Sequence, residues 1–334
     1  MNQLTDQVYL RYFTICFLLP PATALENVSC EIFILTAFQE FGNKKDTYFW
    51  LSLIGYLLII FVNVSLIILI YQEKKLHEPM YIFLCNLLFC ELTGSTSFYI
   101  KFMIDLKINV HVISRTFCFT QIFLIYIYTV TEICILTVMA HDRYIAIHAP
   151  LHYITIFSSA NIQKLIVASW IYPIVMITIG MYLSIRLPLC GNEIDRVYCN
   201  NWEIVKLSCT DTSSNNIYGS VMLCTFSIPF IFIFYSYCKI LSVCWNTSRS
   251  QKYKAFQTCL PHLITLIFFI SSLLFELIES RLNVKRVKNE ITAFASIEFL
   301  TVPPLLNPLI YGLILPEIRK RVVYLFSRRR KQLM

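Results

Sequence analysis

Met139-Ala140-His141-Asp142-Arg143-Tyr144-Ile145-Ala146-Ile147-His148-Ala149-Pro150-Leu151-His152-Tyr153 follows a run from Cys118 to Ala140 that is predominantly apolar. An α-helix needs about 20 such residues to cross a bilayer, and this run has the length. The Asp142-Arg143 pair is too costly to leave alone in hydrocarbon, so it marks the water boundary and a functional candidate. Working outward, six further segments have the same character: Tyr48 to Tyr71, Pro79 to Ile104, Leu165 to Ile185, Tyr218 to Leu241, Thr258 to Leu277 and Ile291 to Leu315. Short polar loops separate them. Composition agrees: 57% of the 334 residues are hydrophobic and 14% charged, against roughly 25% charged in soluble domains. Mean hydropathy is +0.63. A soluble globule, a disordered chain, a collagen and a small disulfide scaffold are all excluded, since glycines number 7 and the 13 cysteines are spread over a long chain. The fold expected is an all-α membrane protein, a bundle of seven transmembrane helices.

Lipid offers no partner to backbone N–H and C=O groups, which is why helices are the expected spanning elements. With the N-terminus outside, 15 of the 28 Lys and Arg fall on the inner side with only Glu73, Glu78, Asp142 and Glu317 as inner acids, whereas 13 bases and 13 acids balance outside. Basic residues favour the cytoplasmic side, so this orientation is preferred. Of the sequons at Asn27, Asn63 and Asn246, only Asn27 lies in an accessible outer segment and is expected to be glycosylated. Residues 1–47 are expected to form an outer segment, 48–315 the seven-helix bundle and 316–334 an inner tail. Within the first, Arg11, an apolar stretch to Leu19 and Ala22-Thr23-Ala24 read either as a signal peptide or as an extension. No internal duplication is visible, which weighs against transporter folds built from repeated halves.

The quoted string resembles the MAYDRYVAIC-PLHY signature of odorant receptors, a branch of the rhodopsin-like G-protein-coupled receptors. Three further stretches carry the resemblance: Pro79-Met80-Tyr81-Ile82-Phe83-Leu84-Cys85-Asn86-Leu87, Lys254-Ala255-Phe256-Gln257-Thr258-Cys259-Leu260-Pro261-His262-Leu263 and Pro303-Pro304-Leu305-Leu306-Asn307-Pro308-Leu309-Ile310-Tyr311. The match runs from about Glu26 to Arg321, with the flavour of the fish-like type. His141 stands where the family has Tyr, His148 where it has Cys and Glu91 where it has Asp. Ile270 falls where many members carry Tyr, which puts in doubt any activation step needing that hydroxyl.

The resemblance implies a set of roles. Asp142, Arg143, Tyr144, Tyr237, His262, Asn307, Pro308 and Tyr311 would form the coupling face and its switch, with the Lys254 to His262 motif facing the G protein. Four outer cysteines allow three connectivities; the resemblance selects Cys118 with Cys199 and Cys190 with Cys209. The remaining membrane and inner cysteines read as reduced packing residues. Glu91 and Glu132 would be the mid-membrane acidic pair, forming with Asn63 and Asn307 a polar core that shares a proton or holds a sodium ion. No other cofactor is expected.

Helical arithmetic locates the pocket. Steps of three or four from Cys118 give Ile122, Ile125, Thr129, Glu132, Leu136, Met139 and Arg143, one stripe of a helix whose two ends are functional by resemblance. Ile122, Ile125 and Thr129 are expected at ligand depth, with Leu273, Leu277 and Arg281 on the sixth helix, and Glu298 as a weaker candidate for the pocket wall. Ile125 and the absence of Lys from Ile291 to Leu315 disfavour amine-sensing and retinal-binding roles. Arg281 either holds a carboxylate ligand or is occupied by Glu276 or Glu279 in a surface ion pair. Pro173, Pro229, Pro303, Pro304 and Pro308 lie within spans and favour kinks. After Pro316, Ile318, Val322, Val323, Leu325 and Phe326 alternate with Arg319, Lys320, Arg321 and the Arg328–Lys331 cluster, the pattern of a short amphipathic helix on the cytoplasmic lipid surface.

The function expected is that of an odorant receptor in the ciliary plasma membrane. It would bind a small molecule from outside and activate an olfactory-type stimulatory G protein that raises cyclic AMP. It is not expected to be an enzyme or to bind nucleic acid. The rivals are a non-olfactory chemoreceptor on the same fold and, from a different class, a transporter or channel.

Overall fold

The computed structural model describes residues 32–108, 110–245, 249–282 and 297–332. Eight long helices dominate it: α1 (Lys45–Gln72), α2 (Pro79–Lys107), α3 (Arg115–His148), α4 (Ser159–Ile185), α5 (Ser213–Trp245), α6 (Arg249–Leu282), α7 (Glu298–Ile314) and α8 (Pro316–Gln332). The seven spans read from hydropathy fall on α1 to α7. Most helices overrun those boundaries because a helix continues past the hydrocarbon wherever nothing stops it. The expected start of the seventh span, at Ile291, lies outside the described residues, as do Asn27, Asn246 and residues 1–24.

Local chemistry sets several ends. Ser114 caps α3 by accepting from the Phe117 N–H at 3.3 Å. Pro79 and Pro316 open α2 and α8, where a missing N–H costs nothing. Proline also stands inside α4, α5, α6 and α7, at Pro173, Pro229, Pro261 and the triplet Pro303, Pro304 and Pro308. Pro261 belongs with the other span prolines, an addition to the expected set. Between α7 and α8 the chain turns by 86°.

Helix α3 is the hub, packed against α2, α4, α5 and α6, while α7 closes the ring on α1, α2 and α6. This explains why hydropathy varies among the spans. Helix α1 buries only Ile59, Asn63, Leu66, Leu69 and Ile70, and its lipid-facing remainder must be apolar. Helix α2 buries far more of its length, so Glu91, Ser95 and Asp105 meet protein rather than lipid. Gly94 is what lets α2 approach α3: a Cβ there would lie 2.3 Å from the ring of Tyr128.

The chain is not all helix. Strand β1 (Ile32–Leu35) lies between β2 (Val112–Ser114), to which it is antiparallel, and β3 (Glu193–Ile194), to which it is parallel. This small sheet, unforeseen because strands of two to four residues carry no period, stitches the N-terminal segment to two loops at one end of the bundle. Phe33 and Leu35 are buried beneath it. Beside it, Lys45 Nζ lies 2.8 Å from His111 Nε2, and the imidazole stacks on Phe38 at 4.7 Å. Burial, then Lys45 and Lys101, push the His111 pKa down to about 4. The ring is therefore neutral at physiological pH and accepts from the ammonium.

Candidate functional site

Two disulfides frame the sheet end. Cys118 joins Cys199 with a Cα separation of 5.5 Å, and Cys190 joins Cys209 at 5.3 Å. The first fastens the start of α3 to the segment between α4 and α5, in which Asn200 caps a short helix by accepting from the Trp202 N–H at 2.9 Å. That segment roofs a cavity of about 430 Å³. Ile122, Ile125 and Thr129 of α3 and Leu273 and Leu277 of α6 line it, as the stripe predicts. Thr129 spends its hydroxyl proton on the Ile125 carbonyl at 2.9 Å, so it offers the cavity lone pairs only. Ile270, at the position where the tyrosine is missing, is also a wall residue.

The roof supplies residues that sequence reasoning missed: Tyr198, Asn200, Asn201 and Trp202 all line the cavity. Their one sequence signal was adjacency to Cys199. Glu276 is the main correction. Expected on the surface, it is buried and accepts from the Tyr198 hydroxyl at 2.6 Å and Asn200 Nδ2 at 3.1 Å. Arg196 Nη1 stands 3.7 Å from its other oxygen. The cause is that α6 turns this face toward the loop, so a loop pinned by Cys199 reaches Glu276 from inside. Burial and the neighbouring carboxylate hold the Tyr198 phenol well above its ordinary pKa, which keeps it a donor. The side chains of Arg281 and Glu279 lie outside the described residues. Glu298 accepts from Ser272 at 3.3 Å and is not a lining residue.

Below the cavity lies the polar core. Asn307 donates to Glu91, and Asn63 donates to the Ile59 and Pro304 carbonyls at 2.9 and 2.8 Å. Tyr128 and Asn307 adjoin Glu132. Among the described residues, both Glu132 oxygens, Glu91 Oε2, Asn63 Oδ1 and Asn307 Oδ1 are buried without a hydrogen-bond donor. Two carboxyl groups in such a setting need a proton or a cation, and an all-oxygen set suits a hard cation.

At the far end of α3, Arg143 pairs with Asp142, which also accepts from the Tyr153 hydroxyl at 2.6 Å. Tyr144 stacks on His148 at 5.1 Å. His141 sits between the rings of Phe157 and Phe232, each 5.7 Å away. His262, expected in the motif that faces the G protein, is buried between helices. Its Nε2 meets the Leu136 carbonyl at 3.0 Å, so that nitrogen carries the proton and Nδ1 accepts from the Tyr237 hydroxyl. Tyr237 is thus tied to His262, while Tyr311 is buried close to Thr265. Helix α8 is anchored by buried Ile318 and by an Arg321–Glu73 ion pair, with Val323 exposed. Among the cysteines, Cys90 and Cys259 are buried, but Cys224 and Cys238 are exposed on the lipid side of α5 rather than packed.

The fold is similar to the crystal structure of squid rhodopsin, with a TM-score of 0.71 over 90% of this chain and 91% of that one at 16% identity. In sequence, rat olfactory receptor 1078 is 33% identical over 84% of each chain. Human olfactory receptor 10A3 is 30% identical over 91% of this chain and 97% of its own, and human olfactory receptor 52J3 is 33% identical over 85% and 93%. A profile described as olfactory receptor matches residues 51–329. Carrying that match over most of its length on a rhodopsin-like seven-helix bundle, the chain belongs to the olfactory receptor family.

Proposed function

We propose that this receptor takes a small odorant into the cavity between α3, α4, α5 and α6 and couples it to a heterotrimeric G protein at the Arg143 end. The observation that supports this best is the continuity of α3, which walls the cavity with Ile122 and Ile125 and ends in Asp142 and Arg143. A ligand acts by favouring the coupling-competent state, and its differential affinity limits the shift. In this reading the N-terminus lies outside a plasma membrane, α8 rests on the inner lipid surface and the G protein is the stimulatory type. Transport or channel activity has no comparable support. The test is an odorant screen with a cyclic AMP reporter, with an N-terminal epitope stained on intact cells. Ile125→Trp should fill the cavity and abolish responses at unchanged surface level. Responses that survive the tryptophan would place the ligand elsewhere.

Glu91 and Glu132, with Asn63 and Asn307, would hold a sodium ion or share one proton in the resting state. Bound there, the cation would neutralise the acid pair and favour the resting arrangement. Glu132→Gln is then expected to change basal signalling and to remove any dependence of agonist potency on sodium. Basal activity and sodium response equal to the parent would reduce the pair to packing.

A further inference from the structure

The cavity is apolar along most of its wall, yet one side carries a buried carboxylate held in a fixed pose. Glu276 Oε1 accepts from Tyr198 at 2.6 Å and Asn200 at 3.1 Å, and Asn200 Oδ1 in turn accepts from the Tyr126 hydroxyl at 3.3 Å. All four residues line the cavity. Next in the chain, Asn201 presents a buried carbonyl oxygen that has no hydrogen-bond partner among the described residues, and it too is a wall residue. Both features are acceptors.

Among the described side chains, charge around the carboxylate is balanced. Arg196 stands 3.7 Å from Glu276 and 4.0 Å from Glu203, and Lys206 is 2.9 Å from Glu203. Two acids therefore face two bases. An ammonium ligand would lose its hydration and add a positive charge beside Arg196. A carboxylate ligand would meet the anion of Glu276. At the Glu276 carboxylate a ketone or ether brings an acceptor to an acceptor and gains nothing, whereas a hydroxyl donates to a charged oxygen, the stronger class of hydrogen bond. Sites that hydrogen-bond a hydroxyl reject analogues lacking it far more strongly than hydrophobic pockets reject a missing methylene.

We infer that Glu276 is the anchor of this pocket and that its ligands are small neutral molecules with one hydroxyl, which donates to the Glu276 carboxylate while the hydrocarbon body lies along Ile122, Ile125 and Leu273. The inference rests on the cavity being the odorant site.

The test uses the full-length receptor in lipid nanodiscs, with ligand-dependent thermal stabilisation as the readout. The probes are alcohols of six to ten carbons, linear, branched and cyclic, each matched to its methyl ether, ketone, carboxylic acid and amine. Alcohols should bind at least tenfold more tightly than their matched partners, about 1.4 kcal/mol. Glu276→Gln, which keeps size and one acceptor, should reduce that preference at least tenfold. Equal binding of alcohols and ketones overturns the anchor, as does a preference for acids, which would point to Arg281, or the absence of any alcohol binding. Ile125→Trp separates the two levels: it should abolish binding of every probe. Alcohol binding that survives this change overturns the cavity reading itself, whereas its loss together with indifference to head group overturns the anchor alone.

Discussion

Cells expressing Cys118→Ser are expected to show no receptor at the surface and no response to any ligand. The bond to Cys199 spans a sequence separation of 81 residues. Closing a loop of that size restricts the unfolded chain by about 4 to 5 kcal/mol in the chain-entropy description. More is lost than stability. Tyr198 and Asn200 flank Cys199, so the tether positions both hydrogen bonds to Glu276, and without it the roof of the cavity detaches from α3. Cys190→Ser removes a link of separation 19, worth about 3 kcal/mol on the same scale, and is expected to be the milder change. Flow cytometry with an N-terminal epitope measures both. Normal trafficking of Cys118→Ser, or a Cys190→Ser defect of equal depth, would contradict this order.

Gly94→Ala is the second change of large effect. The added methyl would lie 2.3 to 2.8 Å from three ring atoms of Tyr128. That ring cannot retreat: it is fully buried, and its hydroxyl donates to the Phe299 carbonyl of α7 at 3.0 Å. Either α2 and α3 separate or the bond to α7 breaks, and overpacking of this kind costs about 1 to 3 kcal/mol. Gly312→Ala is the matched control, because a Cβ there meets nothing within 4 Å and gains about 1 kcal/mol of helix propensity. Thermal unfolding in nanodiscs should show Gly94→Ala well below the parent and Gly312→Ala at or above it. A neutral Gly94→Ala would mean that the α2–α3 contact is looser than its geometry.

The span positions were legible in the residues because bilayer thickness imposes a length and a polarity on each segment, and both are local properties. The α3 stripe was legible for a similar reason: helical period alone places Cys118, Ile122, Ile125, Glu132 and Arg143 on one face, and all but the boundary arginine are nearly sealed from solvent. Pairing of the four outer cysteines was not a local property; it came from resemblance, and the fold agrees with it. What only the tertiary structure decided were contacts between distant segments whose partners carry no shared pattern. The β1 strand finds β2 and β3 across 78 and 159 residues of chain, respectively, pairing Ile34 with Val112 and Glu193. His262 bonds to Tyr237 and Leu136 rather than facing the cytoplasm, because it points from α6 toward α3. Glu276 changed most: in sequence it was one of two acids near Arg281, and the fold makes it a buried carboxylate in the wall of the cavity. Burial of an ionisable group depends on what packs over it, and here the cover is a loop brought across by a disulfide.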